Sequence, residues 1–461
     1  MKQIKLCTLT MIAGLALFTS CKKSSSNSVS GIQKQIGNVI TGDSLCGAIK
    51  GTLQAGKTYQ MTCPVTVNHG DTVLMQSGVT INVVNPAAYI LVQGVFISLG
   101  TKTAPNWITV SGIAKQDGVS TSSAPSTDPA FTSSKLWLGI QCDTNANLVV
   151  MKWTHLEFAG GAFGATPPIS TLGAGNAAWA FYCANPNMIF VFEDSWMYGG
   201  VDDGMRPNCK FIIQRSTFEK EGYIGGDCIN PKHGGVGIAS HNMFIGCATN
   251  GTKVSDKGSG SAATAQTDYY NNTYVDGGYR QIQTGRGGDI NYEQGARGQA
   301  YNNLIVNCKF GFRIVGNPIA DTANCHYGYN YQYGDADSIV DQFYPVGYIT
   351  VPRSTDIPAP TYLPTGYALG ATYDAPTLIG KNNPQFVNYP LPSTSGAVIN
   401  YVTGFDFHLS AGSPALGKGY TSWTPNIPSG IVADPTFGPT TITGPGKDIG
   451  AYQADGSGNQ H

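Results

Sequence analysis

The sequence reads as an all-β chain, a right-handed single-stranded parallel β-helix whose coils stack into a solenoid. Three observations lead there. First, a short pattern recurs: "THLEF" (Thr154–Phe158), "EDSWM" (Glu193–Met197), "QRSTF" (Gln214–Phe218), "SHNMF" (Ser240–Phe244), "YNNTY" (Tyr270–Tyr274) and "YNNLI" (Tyr301–Ile305). The copies start 39, 21, 26, 30 and 31 residues apart, the irregular period of a solenoid with loops of differing length. Second, the text between copies alternates β-branched and polar residues around Gly turns, with no amphipathic helical period. Third, only 12% of the 461 residues are charged and 59 are Gly, against about 25% charged in an ordinary globular chain. The Ser or Asn at the centre of most copies suits a side-chain ladder along the stack.

Taken in order, the elements begin with a leader. Lys2 and Lys5 precede an apolar run, Leu6–Phe18, too short to span a bilayer. Phe18-Thr19-Ser20-Cys21 and the serine-rich "KKSSSNS" follow. This arrangement resembles a bacterial lipoprotein signal, which implies residues 1–20 are removed, Cys21 carries lipid, and residues 21–45 form a flexible tether. The chain is then expected outside the cytoplasm, anchored to the cell envelope through Cys21, and monomeric. Residues 51–58, "GTLQAGKT", match a phosphate-binding loop letter for letter, but strand-like text follows where that loop needs a helix. Gly51 and Gly56 therefore read as turn glycines, and no nucleotide is expected. A net charge of −1 and the absence of a basic stripe exclude a nucleic-acid partner.

The β-helix is expected over residues 46–319, a Tyr- and Pro-rich excursion over 320–381, and a closing segment over 382–461. Cys46 and Cys63 bracket one short segment and could pair; the remaining cysteines read as small buried hydrophobes. "NNPQFVN" (Asn382–Asn388), "FDFHLSAGSPALGKG" (Phe405–Gly419) and "DIGAYQ" (Asp448–Gln453) resemble the closing segment of the pectin-lyase-like superfamily. That resemblance implies a fold; the superfamily hosts lyases, hydrolases, esterases and non-enzymes.

The richest stretch for chemistry is 201–297. Asp202, Asp203 and Asp227 fall about one coil apart, and carboxylates so placed suit Ca²⁺ or acid–base work. Ser240-His241-Asn242, Asp256-Lys257, Arg280 and Arg286, then "YNN", follow the order of motifs in pectate lyases. The resemblance implies β-elimination on an acidic polysaccharide. Asp202, Asp203 and Asp227 would hold Ca²⁺, Lys257 or Lys253 would help neutralise the uronate, Arg280 would be the base with Arg286 beside it, and Lys232 is the alternative base. The family's proline between the arginines is missing here. "VDDG", "GGDCIN", "HGG" and "FRIVG" also resemble polygalacturonase motifs in order, with Gly226 standing where a second aspartate is expected. The third class is a non-catalytic glycan-binding rod, for which 24 Tyr and 6 Trp offer sugar-stacking rings. His155-x-Glu157 reads as structural.

Overall fold

Each coil of the chain turns through three strands before rising to the next. The structure, a computed structural model, describes residues 34–116, 128–258, 260–316, 318–343, 379–381, 383–391, 404–431 and 440–461. Two long sheets are entirely parallel, one of ten strands and one of fifteen. The larger branches at the ten-residue strand Thr58–Val67, whose first half pairs with Thr80–Val83 and whose second half pairs with Ile90–Val92. From this fork a long arm runs to Tyr331–Tyr333 and a short arm to Met205–Pro207. Single bridges through Ile229 carry the short arm on to a three-stranded sheet, Thr252–Ser255, Ile290–Glu293 and Phe312–Val315. This is a parallel β-helix.

The recurring sequence pattern is one corner of this coil. Between the ten-stranded sheet and the long arm, Asp194, Arg215, His241, Asn271 and Asn302 adopt φ between 50° and 60°. Such left-handed residues cost roughly 1–2 kcal/mol each, and the next residue offsets it. Asn242, Asn272, Asn303 and Asn330 form a buried ladder: the Asn272, Asn303 and Asn330 Oδ1 atoms accept from the backbone N–H of the preceding rung at 3.0, 3.0 and 3.1 Å. Ser216, Ser195 and Thr154 continue it upward. The ladder shows that "THLEF" belongs two residues out of the alignment above, since Thr154, not Leu156, is its rung. It also adds a copy at Tyr329–Asn330.

Inside, apolar side chains stack in register. Phe218, Phe244 and Tyr274 lie face to face at 4.9 and 4.8 Å within one continuous buried core. Identical strand register makes the stacking automatic, because each inward position meets its own counterpart one coil away. Cys142, Cys183, Cys209, Cys308 and Cys325 are buried and form no disulfide among the described residues. Cys46 and Cys63 are joined, and so are Cys228 and Cys247; the second pair had read as two small hydrophobes.

Several boundaries move. The solenoid takes up the chain before residue 46, since Val39 bridges Thr52 and Ser44–Ala48 is a strand. The stretch read as an excursion begins with two ordinary ladder strands, Cys325–Gly328 and Tyr331–Tyr333; residues 344–378 lie outside the described residues. So do the leader and Cys21. Part of the closing segment forms an antiparallel pair, Phe386–Asn388 with Asp406–Leu409, and covers the end of the long arm through Tyr389, Phe407 and Tyr452. "GTLQAGKT" is a strand–turn–strand unit. Lys57 there binds Asp43 at 2.8 Å.

Candidate functional site

The short arm and its continuation form the floor of a polar cleft of about 260 Å³, bordered by side chains from successive coils. Asp203 precedes the strand Met205–Pro207; one coil on, Asp227 precedes the Ile229 bridge; Asn250 precedes Thr252–Ser255. Parallel stacking brings these turn residues together although about 24 residues separate each pair. Gly226 explains the missing second aspartate. Its φ is 107°, and a Cβ there would lie 2.3 Å from the Asp202 carbonyl oxygen, so the turn admits no side chain.

Both central carboxylates are buried and saturated. Asp203 accepts from Arg206 Nε at 2.5 Å, Asn230 Nδ2 at 2.7 Å and the Asp227 backbone N–H at 2.9 Å. Asp227 accepts from Asn250 Nδ2 at 2.5 Å, Lys253 Nζ at 2.6 Å and Asn230 Nδ2 at 2.8 Å. Burial works to raise the Asp203 carboxyl, but Arg206, Lys253 and Lys232 outweigh it and hold it well below the usual carboxylate range. Asp227 is raised, by burial first and by Asp203, against the pull of Lys253. Asp202, half-buried and touched by Trp179 Nε1 at 3.4 Å, is raised by burial and then by Asp203.

The cations are as concentrated as the acids. Arg206, Lys232, Lys253, Lys257 and Arg286 all border this one cleft, five of the 27 Lys and Arg in the chain. Arg206 stacks over Trp179 at 4.0 Å. Lys253 reaches Glu293 at 3.6 Å and is held above its ordinary value, with Asp227 foremost in overcoming burial. Lys232 differs. Burial first, then the neighbouring Lys253, lowers its ammonium to about 8, and its Nζ makes no hydrogen bond or ion pair among the described residues. Lys257 and Arg286 are exposed at the rim.

Arg280 is not in the cleft. It is 4% exposed, its Nε and Nη2 donate to the Gly222 carbonyl at 3.0 and 2.8 Å, Nη2 also donates to the Glu221 carbonyl at 2.9 Å, and the guanidinium lies over Phe131 at 4.7 Å. Burial lowers it to about 9, but it holds a loop rather than facing the cleft; its neighbour Gln281 lines the wall instead. The calcium expectation also meets a donor set of the wrong sign. Asp203 and Asp227 are turned toward two cationic side chains and two carboxamides, and no group of three His, Cys, Asp or Glu among the described residues converges on a metal-sized point. Sequence reading passed over Arg206, Asn230 and Asn250. Arg206 had a signal, standing three residues after Asp203; the two asparagines had none beyond following Asp227 and preceding Gly251.

Comparison with protein-family models, with curated proteins and with solved structures found no match.

Proposed function

We propose that this cleft binds an acidic polysaccharide and cleaves it by β-elimination, with Lys232 as the base and no calcium. The observation that carries the reading is the convergence of Arg206, Lys232, Lys253, Lys257 and Arg286 on one cleft of a chain poor in charge. Elimination needs the uronate carboxylate neutralised so that charge developing beside it is stabilised. The exposed rim residues Lys257 and Arg286 supply that neutralisation, the task first assigned to Ca²⁺, since Arg206 and Lys253 are held by Asp203 and Asp227. A base must be unprotonated near working pH. Lys232, at about 8, meets that condition better than a guanidinium. Its Nζ takes the C5 proton, the freed electron pair forms the C4–C5 double bond, and the C4–O bond breaks. The leaving oxygen takes its proton from solvent water.

Hydrolysis is the second reading, favoured by one observation: Asp202, Asp203 and Asp227 border the same cleft, and clustered carboxyls can serve as acid and base. The test incubates protein starting after Cys21 with polygalacturonate, alginate and glycosaminoglycans. Ultraviolet absorbance of an unsaturated product, lost in Lys232→Met, supports elimination. Reducing ends without absorbance move the assignment to the aspartates. Silence in both, with no binding of any acidic polymer, refutes both. Export and lipid anchoring through Cys21 belong to the same proposal, and metabolic labelling with a fatty acid, lost in Cys21→Ala, checks them.

A further inference from the structure

A second cavity, of about 450 Å³, lies on the long arm rather than on the short one. Its volume is that of an ordinary small-molecule pocket. Two in-register columns of outward side chains form its floor. In one, the rings of Trp107, His155 and Trp196 stack at 3.5 and 4.1 Å, within 6° of parallel. In the other, Glu157, Tyr198 and Glu219 follow one another on adjacent strands. Phe405, Phe407 and Tyr452 of the closing segment provide the facing wall.

This lining mixes large apolar rings with two carboxylates that are 8% and 3% exposed. Thr109 donates to Glu157 at 3.0 Å, and His155 Nδ1 lies 3.3 Å from it. Burial lowers the His155 ring, against the opposing pull of Glu157. Lys115 pairs with Glu219 and sits 5.3 Å over Tyr198. An anionic guest would meet Glu157 and Glu219. A purely hydrocarbon guest would strip water from these carboxylates without replacing its hydrogen bonds, which is costly. A neutral sugar avoids both penalties, since its C–H groups bury against the edges of the stacked rings, which His461 extends at 3.9 Å from Trp196, and against Phe405, while its hydroxyls donate to the carboxylates. We infer that this cavity is a binding site for a neutral mono- or disaccharide unit, separate from the acidic-glycan cleft and independent of its chemistry.

Saturation-transfer NMR with neutral disaccharides built on glucose, galactose, mannose and N-acetylglucosamine tests this, with glucuronate and galacturonate as charged comparators. The expected result is saturable binding of at least one neutral sugar, with quenching of tryptophan fluorescence. Affinity should fall at least about tenfold in Glu157→Gln and in Phe405→Ser, a half-buried position chosen so that folding survives. Lys232→Met should bind as the parent does. No saturable neutral ligand, equal binding of the charged sugars, or unchanged affinity in both variants would overturn the inference.

Discussion

Replacing Lys232 by Met should abolish activity and raise stability at the same time. Lys232 falls from 10.5 to about 8 because folding buries its ammonium beside Lys253. At about 1.4 kcal/mol per pH unit, the gap corresponds to about 3 kcal/mol opposing folding whenever both states are protonated. Its folded value lies below its unfolded one. The penalty is therefore complete below pH about 8 and fades as pH rises from there toward 10.5. Met keeps the aliphatic stem and removes the charge. The favourable field of Asp203 and Asp227 is already contained in that lowered value, so the variant should gain up to about 3 kcal/mol at pH 6–7 and little above pH 10. The rate has its own signature. About a tenth of Lys232 is neutral at pH 7, half at pH 8 and nine-tenths at pH 9, so the parent's initial rate should climb about fivefold from pH 7 to 8 and then flatten. Urea titrations at pH 6.5 and pH 10, paired with the absorbance assay across this range, read both. A flat pH–rate profile, or a variant that keeps its activity, would refute Lys232 as the base; a variant less stable at pH 6.5 would refute the burial argument.

Asn272→Leu should cost about 3–5 kcal/mol in thermal or urea unfolding, because it removes the acceptor of the buried Asn242 N–H and of one Asn242 amide hydrogen, and the side-chain donor to the Ala239 carbonyl, at about 1–3 kcal/mol each; the Asn242 amide keeps its bond to the Ile213 carbonyl. Arg280→Ala should lower stability by about 1–3 kcal/mol, because the buried Gly222 carbonyl loses both Arg280 donors while the Glu221 carbonyl keeps the Ala248 N–H. Cleavage per folded molecule should stay within about twofold; a total loss with folding intact would restore Arg280 to the reaction. Cys228→Ser should cost about 3 kcal/mol for opening a link across 19 residues, measured by denaturation with and without reductant. Adding EDTA should leave both binding and cleavage of the acidic polymer unchanged, and calcium-dependent turnover would overturn the metal-free reading.

The repeat was legible because a solenoid is a local code. Each coil needs a left-handed corner and a ladder residue, so Ser216, Asn242, Asn272 and Asn303 recur in phase with the strands around them. The same logic made Asp202, Asp203 and Asp227 visible as a cluster, since turn residues one coil apart must become neighbours. "THLEF" stands two residues out of phase because Thr154 carries its rung where the other copies have Asn or Ser. Tyr329–Asn330 was missed because the Tyr-rich text around it hides a rung of ordinary design.

Side-chain direction was not legible in the same way. Arg280 and Arg286 lie six residues apart on one loop, yet the first folds inward over Phe131 and the second stays in solvent. Nothing in the spacing separates them, because a loop has no period to assign its faces. The sequence by itself determined the coil, its corners and the clustering of acids. Only the tertiary structure decided that Lys253 from the next coil would meet Asp227, that Asn230 and Asn250 would complete the bonding of the two buried acids, and that Lys232 would stand beside them with its ammonium unpaired among the described residues. The reason is physical: strand period and corner geometry act between near neighbours in sequence, whereas desolvation and charge act through space.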